Sequence, residues 1–323
     1  MKIQRSGFFA GYFLKDLALA SLIFFLVALA PYVGAVGLVF VPLPILYYYS
    51  KHGRAKGLII LIFSLIVVFI SLGFANSYEN LPLITILSLA GIAMAEFLKR
   101  NYTIEKTVGY SVAAVFFIMA LLLLAQAFHL SVAPWDMIGA FIDNRIRYSI
   151  RIYDSMNMSA EQVNLIKENI PEIVSFITRI FPALVLVGLT SLVWLNLLAA
   201  RILFRKYYLT FPDFGDLSHW KPPDRMVWYL IAAGAMLLVP EVRVAFAGWN
   251  MLIVVLFLYL LAGLAIISFF LKKSKLPMVF KYLIYILVFA QQIVTLLVAA
   301  AGLFDLWVDF RKLNNKTIED PLV

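Results

Sequence analysis

The chain contains no cysteine, which excludes disulfides, thiolate nucleophiles and any zinc or iron–sulfur site held by cysteine. Charged side chains are scarce as well, making up 14% of the 323 residues. The histidines are His52, His129 and His219, on separate segments, so no metal-ligand spacing arises. A Gly-rich phosphate loop, an HExxH helix and a nucleophile elbow are all missing. These absences leave no catalytic residue, no cofactor and no metal site to nominate, and the chain reads as a non-enzyme. Internal repeats and low-complexity tracts are not evident either.

What the chain does have is apolar surface. Hydrophobic residues make up 63% of it and the mean hydropathy is +0.94, more than a soluble core of this length could hide. The expected fold class is an all-α, polytopic integral membrane protein with lipid as its main solvent. The net charge of +9 does not mark a nucleic-acid binder, because the basic residues flank long apolar runs, where they meet anionic headgroups. Those basic clusters fall on alternate connections: Lys2, Arg5 and Lys15; Lys51, Arg54 and Lys56; Lys99, Arg100 and Lys106; Arg201, Arg205, Lys206, Lys221 and Arg225. Lys and Arg are retained on the cytoplasmic side, so the N-terminus is expected in the cytosol of a bacterium, with the chain multi-pass in its inner membrane. Leu17 to Ala30 has a signal-like Ala28-x-Ala30 end, but Pro31 directly after it argues for an uncleaved first span.

A helical crossing needs roughly 20 apolar residues. On that measure Leu17 to Tyr49 holds two short spans broken at Pro31 and Gly34, the second carrying Pro42 and Pro44. Proline removes a backbone donor, so the carbonyls it frees must find partners on neighbouring helices or in water. Further spans are expected at about Leu58 to Phe74, Leu81 to Leu98, Val108 to Leu130, Ile173 to Ala200, Met226 to Val239, Met251 to Leu271 and Tyr282 to Phe304. Nine crossings would put Arg311, Lys312 and Lys316 outside, against the charge rule. Either one short run, best Met226 to Val239, does not cross, giving eight, or the tail is an exception. The expected organisation is a five-span bundle (1–134), an outer-surface amphipathic segment (135–172) and a C-terminal membrane segment (173–323) with a cytosolic loop at 205–225.

Asp136 to Met156 has a helical stripe of Ile138, Phe141, Ile142, Ile146, Ile150 and Tyr153 opposite a charged face, with Asp143 and Arg147 spaced for an i,i+4 pair. Ser159 and Gln162 form a capping box for a second helix, expected to stop near Pro171. Gly91 with Ala95 and Gly109 with Ala113 have the spacing of close helix packing. Glu96 is positioned to pair with Lys99 or Arg100, and Arg179 to snorkel toward the interface. Asp305 and Asp309 next to Arg311 read as a salt-bridged helix end.

Polar groups in the membrane are the functional candidates, since hydrocarbon penalises them unless they face a partner or a cavity. Asn76 and Glu79, in the turn between the third and fourth spans, with Gln126, His129 and Trp135 at the outer end of the fifth, would ring an outward-facing mouth for a small polar solute. Gln291, in the last span, either joins that site or clasps a neighbouring helix. In the cytosolic loop, Tyr207, Phe211, Phe214 and Trp220 are candidate partner-docking rings, with packing under the protein's own helices as the alternative. Two functions follow: a solute-binding, transporter-like protein, or a scaffold that recruits partners through the loop and the surface helix.

Phe181-Pro182-Ala183, Trp194-Leu195-Asn196 with Ala199, Ala200 and Arg201, the loop Phe214 to Trp220 before Pro222-Pro223, and Gly302-Leu303-Phe304-Asp305-Leu306-Trp307 with Asp309-Phe310-Arg311 resemble the YybS-like family of bacterial multispanning membrane proteins. A looser likeness around Pro42, Pro44 and His52-Gly53 extends it over nearly the whole chain. That family is in turn similar to the substrate-binding membrane subunits of energy-coupling-factor transporters. The resemblance implies an outer ligand site and an ATPase partner subunit, although the spans after Ala200 depart from the six-helix pattern of those subunits.

Overall fold

The computed structural model describes residues 3–29, 37–74, 78–155 and 160–313, and every regular element among them is helical. The expected break at Pro31 and Gly34 and the capping Ser159 lie outside the described residues. The chain divides into two compact units, Met1–Pro134 with Gly188–Asp213, and Trp135–Val187 with Phe214–Val323.

The first unit holds α1 (Ile3–Leu29), α2 (Pro42–His52), α3 (Arg54–Phe74), α4 (Leu81–Lys99), α5 (Ile104–Leu130) and the second half of the long helix α7 (Ala160–Lys206). Phe24, Val41, Ile45, Leu61, Val68, Leu72, Ile84 and Leu87 form its core. Pro42 stands in the first turn of α2, where a missing N–H breaks no helical bond. The neighbouring carbonyl of Val39 accepts a hydrogen bond from Asn196 Nδ2 at 2.8 Å, and the same nitrogen reaches the carbonyl of Leu192. A proline-disturbed backbone is thus satisfied from a neighbouring helix, as lipid demands. Gly91 lets α4 approach α2 so closely that a Cβ there would lie 2.5 Å from the carbonyl of Pro42, whereas Gly109 meets nothing.

At the end of this unit where α2 finishes, Glu96 does not use Lys99 or Arg100. Arg54 forks onto it, Nε to Oε1 at 2.9 Å and Nη2 to Oε2 at 2.5 Å, and the Tyr49 hydroxyl donates to Oε1. Lys99 lies instead over the Tyr49 ring at 4.4 Å. A bidentate partner on another helix outcompetes a flexible ammonium on the same one. Asp16 likewise receives Lys51 and His52.

The second unit holds α6 (Pro134–Ser155), the first half of α7, a 3-10 turn at Leu217–His219, α8 (Met226–Leu237), α9 (Val242–Lys273), α10 (Met278–Ala290) and α11 (Gln292–Val308). The amphipathic helix forms where its periodicity places it, and Asp143 accepts from Arg147 at 2.7 Å. Much of its stripe docks on protein: Ile138, Ile142 and Ile150 are buried, and Ile150 packs with Ile170 of α7. The helix expected to stop near Pro171 continues through both Pro171 and Pro182 for 47 residues. α8 folds back on α9, with Gly248 against Ala233 and Met236.

Among the described residues six helices are long and apolar enough to cross a membrane, and the bent pair α10–α11 makes a seventh if it counts as one span. The expected eight to nine exceeds this because α2 and α8 have only 11 and 12 residues, about 17–18 Å of rise. The run Tyr282 to Phe304 is not one straight crossing. Gln291 is extended, at φ −115° and ψ 111°, and the two helices meet at 102°. Thr295 bridges the break, its hydroxyl donating to the carbonyls of Val288 and Gln291.

Both ends of this broken pair lie at the same end of α9. Lys272, on the last turn of α9, pairs with Asp216 beside the 3-10 turn. From the far end of the pair, Arg311 donates to the carbonyls of Ser218 and Trp220 in that same short loop, and to Asp305 at 2.7 Å. Lys221 adds a bond to Asp309 at 3.0 Å. The chain therefore enters and leaves α10–α11 on one face, so the pair is re-entrant. This places the basic tail with Lys221 and Lys272, which removes the conflict with the charge rule while leaving α8 as one helix of the hairpin with α9. The Lys272 ammonium, then the Ser218 N–H, hold the Asp216 carboxyl well below the usual carboxylate range. A depressed pKa contributes stability above the unfolded value, so this anchor persists at neutral pH and is lost only as pH falls through the depressed value.

Between its ends the pair is held by an approach that only glycine allows: a Cβ at Gly302 would lie 2.0 Å from the Tyr259 carbonyl, and one at Gly263 2.0 Å from that of Val298. Because the chain lacks cysteine, single cysteines report sidedness directly. In Lys275→Cys and Leu313→Cys variants, a membrane-impermeant maleimide should label both sites from one side, and Val239→Cys from the other. Labelling of residues 275 and 313 from opposite sides would make the pair a full crossing.

Candidate functional site

At the other end of α9 the second unit has an open cavity of about 970 Å³ lined by three helices. α6 supplies Trp135 and Asp136 from its first turn, followed by Gly139 and Ala140, whose small side chains leave room. α7 supplies Val174, Ser175, Thr178 and Arg179, an i, i+1, i+4, i+5 set that keeps to one helical face. α9 supplies Glu241, Val242, Arg243 and Phe246 from its start. There Glu241 caps the helix by accepting from the Arg243 N–H, as acidic groups favour helix N-termini.

Arg179 is exposed and has an aromatic partner on α9. Its guanidinium lies 4.4 Å from the centre of the Phe246 ring, a geometry that pairs a cation with the negative face of an aromatic. Its backbone is held from the same helix. Pro182 interrupts α7 one turn later, and Asn250 of α9 bonds the backbone on both sides of that proline: Oδ1 accepts from the Ala183 N–H at 3.0 Å and Nδ2 donates to the Arg179 carbonyl at 2.8 Å. Nδ2 also reaches the Phe246 carbonyl within α9. One side-chain amide thus joins α7 to α9 directly under the cavity. Thr178 Oγ1 is buried there without a hydrogen-bond partner, 3.6 Å from where a Cβ on Gly139 would sit.

Of the residues expected to ring a mouth, Trp135 lines this cavity. Glu79, Gln126 and His129 are exposed on the first unit, and Gln291 is exposed at the break between α10 and α11. Asn76 lies outside the described residues. The sequence reading missed Ser175, Thr178, Arg179, Glu241, Arg243 and Phe246 as a group. A signal was present in Thr178 and Arg179, polar residues inside an apolar run one turn before a proline, but their partners on α9 are not encoded locally. No group of His, Asp and Glu able to hold a metal occurs among the described residues. Of the loop rings, Tyr207 packs 5.6 Å from Tyr47 and Phe211 5.5 Å from Phe204, while Phe214 and Trp220 are half-buried.

The model of the family described as "Predicted membrane protein (DUF2232)" matches residues 18–306. The chain belongs to this family. A curated relative, "Uncharacterized protein YybS" of Bacillus subtilis (strain 168), is 24% identical over 310 residues, which cover 91% of this chain and 94% of that protein. No solved structure matches. Family membership and the apolar helices together identify a multispanning membrane protein that sits in a lipid bilayer.

Asn250→Leu should lower stability by about 1–3 kcal/mol, since backbone groups in an apolar setting lose their partner. The drop would appear in the thermal unfolding midpoint of the detergent-solubilised protein, with Asn250→Asp, which keeps the acceptor, falling between. An unchanged midpoint for Asn250→Leu would mean that the amide does not carry the proline break.

Proposed function

We propose that this protein is transporter-like and binds a small polar solute from the outer side of a bacterial cytoplasmic membrane, in the cavity between α6, α7 and the start of α9. The observation that carries the reading is the cavity itself, where apolar walls meet a few convergent polar and charged groups, the composition typical of solute sites. Its sidedness follows from charge. Lys221, Lys272, Lys273 and Arg311 gather at the opposite end of α9, and basic residues near helix ends mark the cytosolic face. The cavity then opens outward, and the same rule applied to the first unit's own basic clusters makes the N-terminus cytosolic.

Recruitment of partners through the aromatic loop has less support. Tyr207 and Phe211 are engaged with rings of their own unit, and Arg311 holds the loop near Trp220 through its backbone. A coupling subunit, such as the ATPase expected from the family's likeness to energy-coupling-factor subunits, would have to meet this cytosolic face.

Native mass spectrometry of the protein, released directly from its own membrane, tests the reading. A stoichiometric small solute should accompany the wild-type protein and be lost in Arg179→Gln, while Gln126→Leu combined with His129→Leu retains it. Loss in the double variant with retention in Arg179→Gln would move the site to the end of α5. A protein that carries no solute, but reproducibly retains a partner subunit, would favour the scaffold.

A further inference from the structure

The charges around the cavity are balanced: Arg179 and Arg243 face it together with Asp136 and Glu241. None of these side chains joins another in an ion pair among the described residues. Opposite charges that converge on one space without closing on each other leave that space suited to a ligand bearing both signs. A simple anion would satisfy the arginines and face two carboxylates, and a simple cation would do the reverse; like-charge approach of this kind is what rejects wrong ligands. Trp135 and Phe246 add aromatic surface beside these charges.

We infer that the cavity takes a small zwitterion, a ligand with one ammonium and one anionic group beside an apolar moiety, such as a free amino acid. This rests on the cavity being the solute site. Arg179 provides the anion subsite. Its guanidinium lies 4.4 Å from the Phe246 ring centre, and the fork of N–H donors on an arginine matches a carboxylate in two parallel bonds. Thr178 Oγ1, buried and unpartnered beside it, supplies a further hydroxyl donor, which buried polar atoms seldom leave unused. Asp136 and Glu241 receive the ammonium. Glu241 uses Oε1 in its cap on the Arg243 N–H, which leaves Oε2 to face the ligand. A phospholipid with an ethanolamine headgroup carries the same pair of charges, so the test must separate the two sources.

The probes are L-leucine and L-phenylalanine, their N-acetyl derivatives, which lack the ammonium, and their methyl esters, which lack the anion. Each is titrated against the full-length protein in phospholipid-free detergent and in nanodiscs with or without phosphatidylethanolamine, with thermal unfolding and tryptophan fluorescence as readouts. The expected result is saturable binding of a free amino acid, weakened at least tenfold in both derivatives. Arg179→Gln should remove the preference for the free acid over the ester, and Asp136→Asn with Glu241→Gln the preference over the N-acetyl form, with unfolding midpoints showing that each variant is folded. Arg243→Gln serves as a second anion-side variant should Arg179→Gln fail to fold. Derivatives that bind as tightly as the parents, in a manner sensitive to Arg179, would overturn the zwitterion and leave the cavity as the site. Phosphatidylethanolamine retained in wild type and lost in Arg179→Gln, with no response to amino acids, would support the paired-charge chemistry and overturn the free solute. No response to any probe, with Arg179→Gln matching wild type throughout, would overturn both readings.

Discussion

A backbone carbonyl or N–H in hydrocarbon has no water to turn to, and this one constraint shapes the protein at both of its awkward prolines. Pro42 opens a short helix beside a turn that frees the Val39 carbonyl, and Pro182 interrupts α7. Each place is met by the same device, an asparagine from a packed helix. Asn196 donates to Val39, while Asn250 accepts from Ala183 and donates to Arg179. An unmet backbone group in an apolar setting costs about 1–3 kcal/mol, more than a typical interhelical polar bond of about 0.6 kcal/mol contributes. The asparagines therefore matter less as glue than as the partners that these freed backbone groups would otherwise lack.

The opposite end of the second unit obeys a related rule. Among the described residues Arg311 Nε and Asp305 Oδ1 have no hydrogen-bond partner, but the buried Arg311 is paired, which is the main condition for tolerating its charge. Its terminal nitrogens bond Asp305 and the carbonyls of Ser218 and Trp220, so one side chain ties the tail, α11 and the loop together. With Lys272 on Asp216, this closes a ring of contacts around the end of α9. The bent pair α10–α11 cannot become a straight crossing unless Arg311 is parted from the carbonyls of Ser218 and Trp220, and Lys221 from Asp309. The re-entrant arrangement is thus fixed by electrostatics at the ends and by the contact of Gly263 and Gly302 in between.

What the sequence made legible is what depends on local spacing. The apolar runs, the stripe of Ile138, Ile142 and Ile150, the Asp143–Arg147 pair and the acidic end at Asp305 all follow from period and proximity along the chain. What it hid depends on a second helix. Glu96 had Lys99 and Arg100 within one turn, yet its partner is Arg54, 42 residues away in sequence. Pro171 marked a helix end on propensity, but α7 continues because tertiary packing overrides a local preference. Tyr282 to Phe304 reads as one span because the break at Gln291 carries neither glycine nor proline, and its extended backbone is sustained by Thr295 and by packing on α9. Of the cavity, Trp135 was visible as a polar-tipped residue beyond an apolar run, while Arg179 looked like a snorkelling cation because Phe246 lies 67 residues further on.

Arg179 shows how the structural constraint becomes a chemical one. Its carbonyl is bound by Asn250 and its guanidinium rests on Phe246, two attachments to one helix less than two turns apart. The Phe246 carbonyl accepts from the same Asn250 amide, so the ring, the amide and the arginine form one rigid corner. A long basic side chain with only a backbone anchor would sample the interface and leave its charge in water. The Phe246 ring gives this exposed side chain a second point of contact. The mending of the proline break and the placing of Arg179 then draw on the same stretch of α9. The angle between α7 and α9 becomes the quantity on which the spacing of the cavity's charged side chains depends.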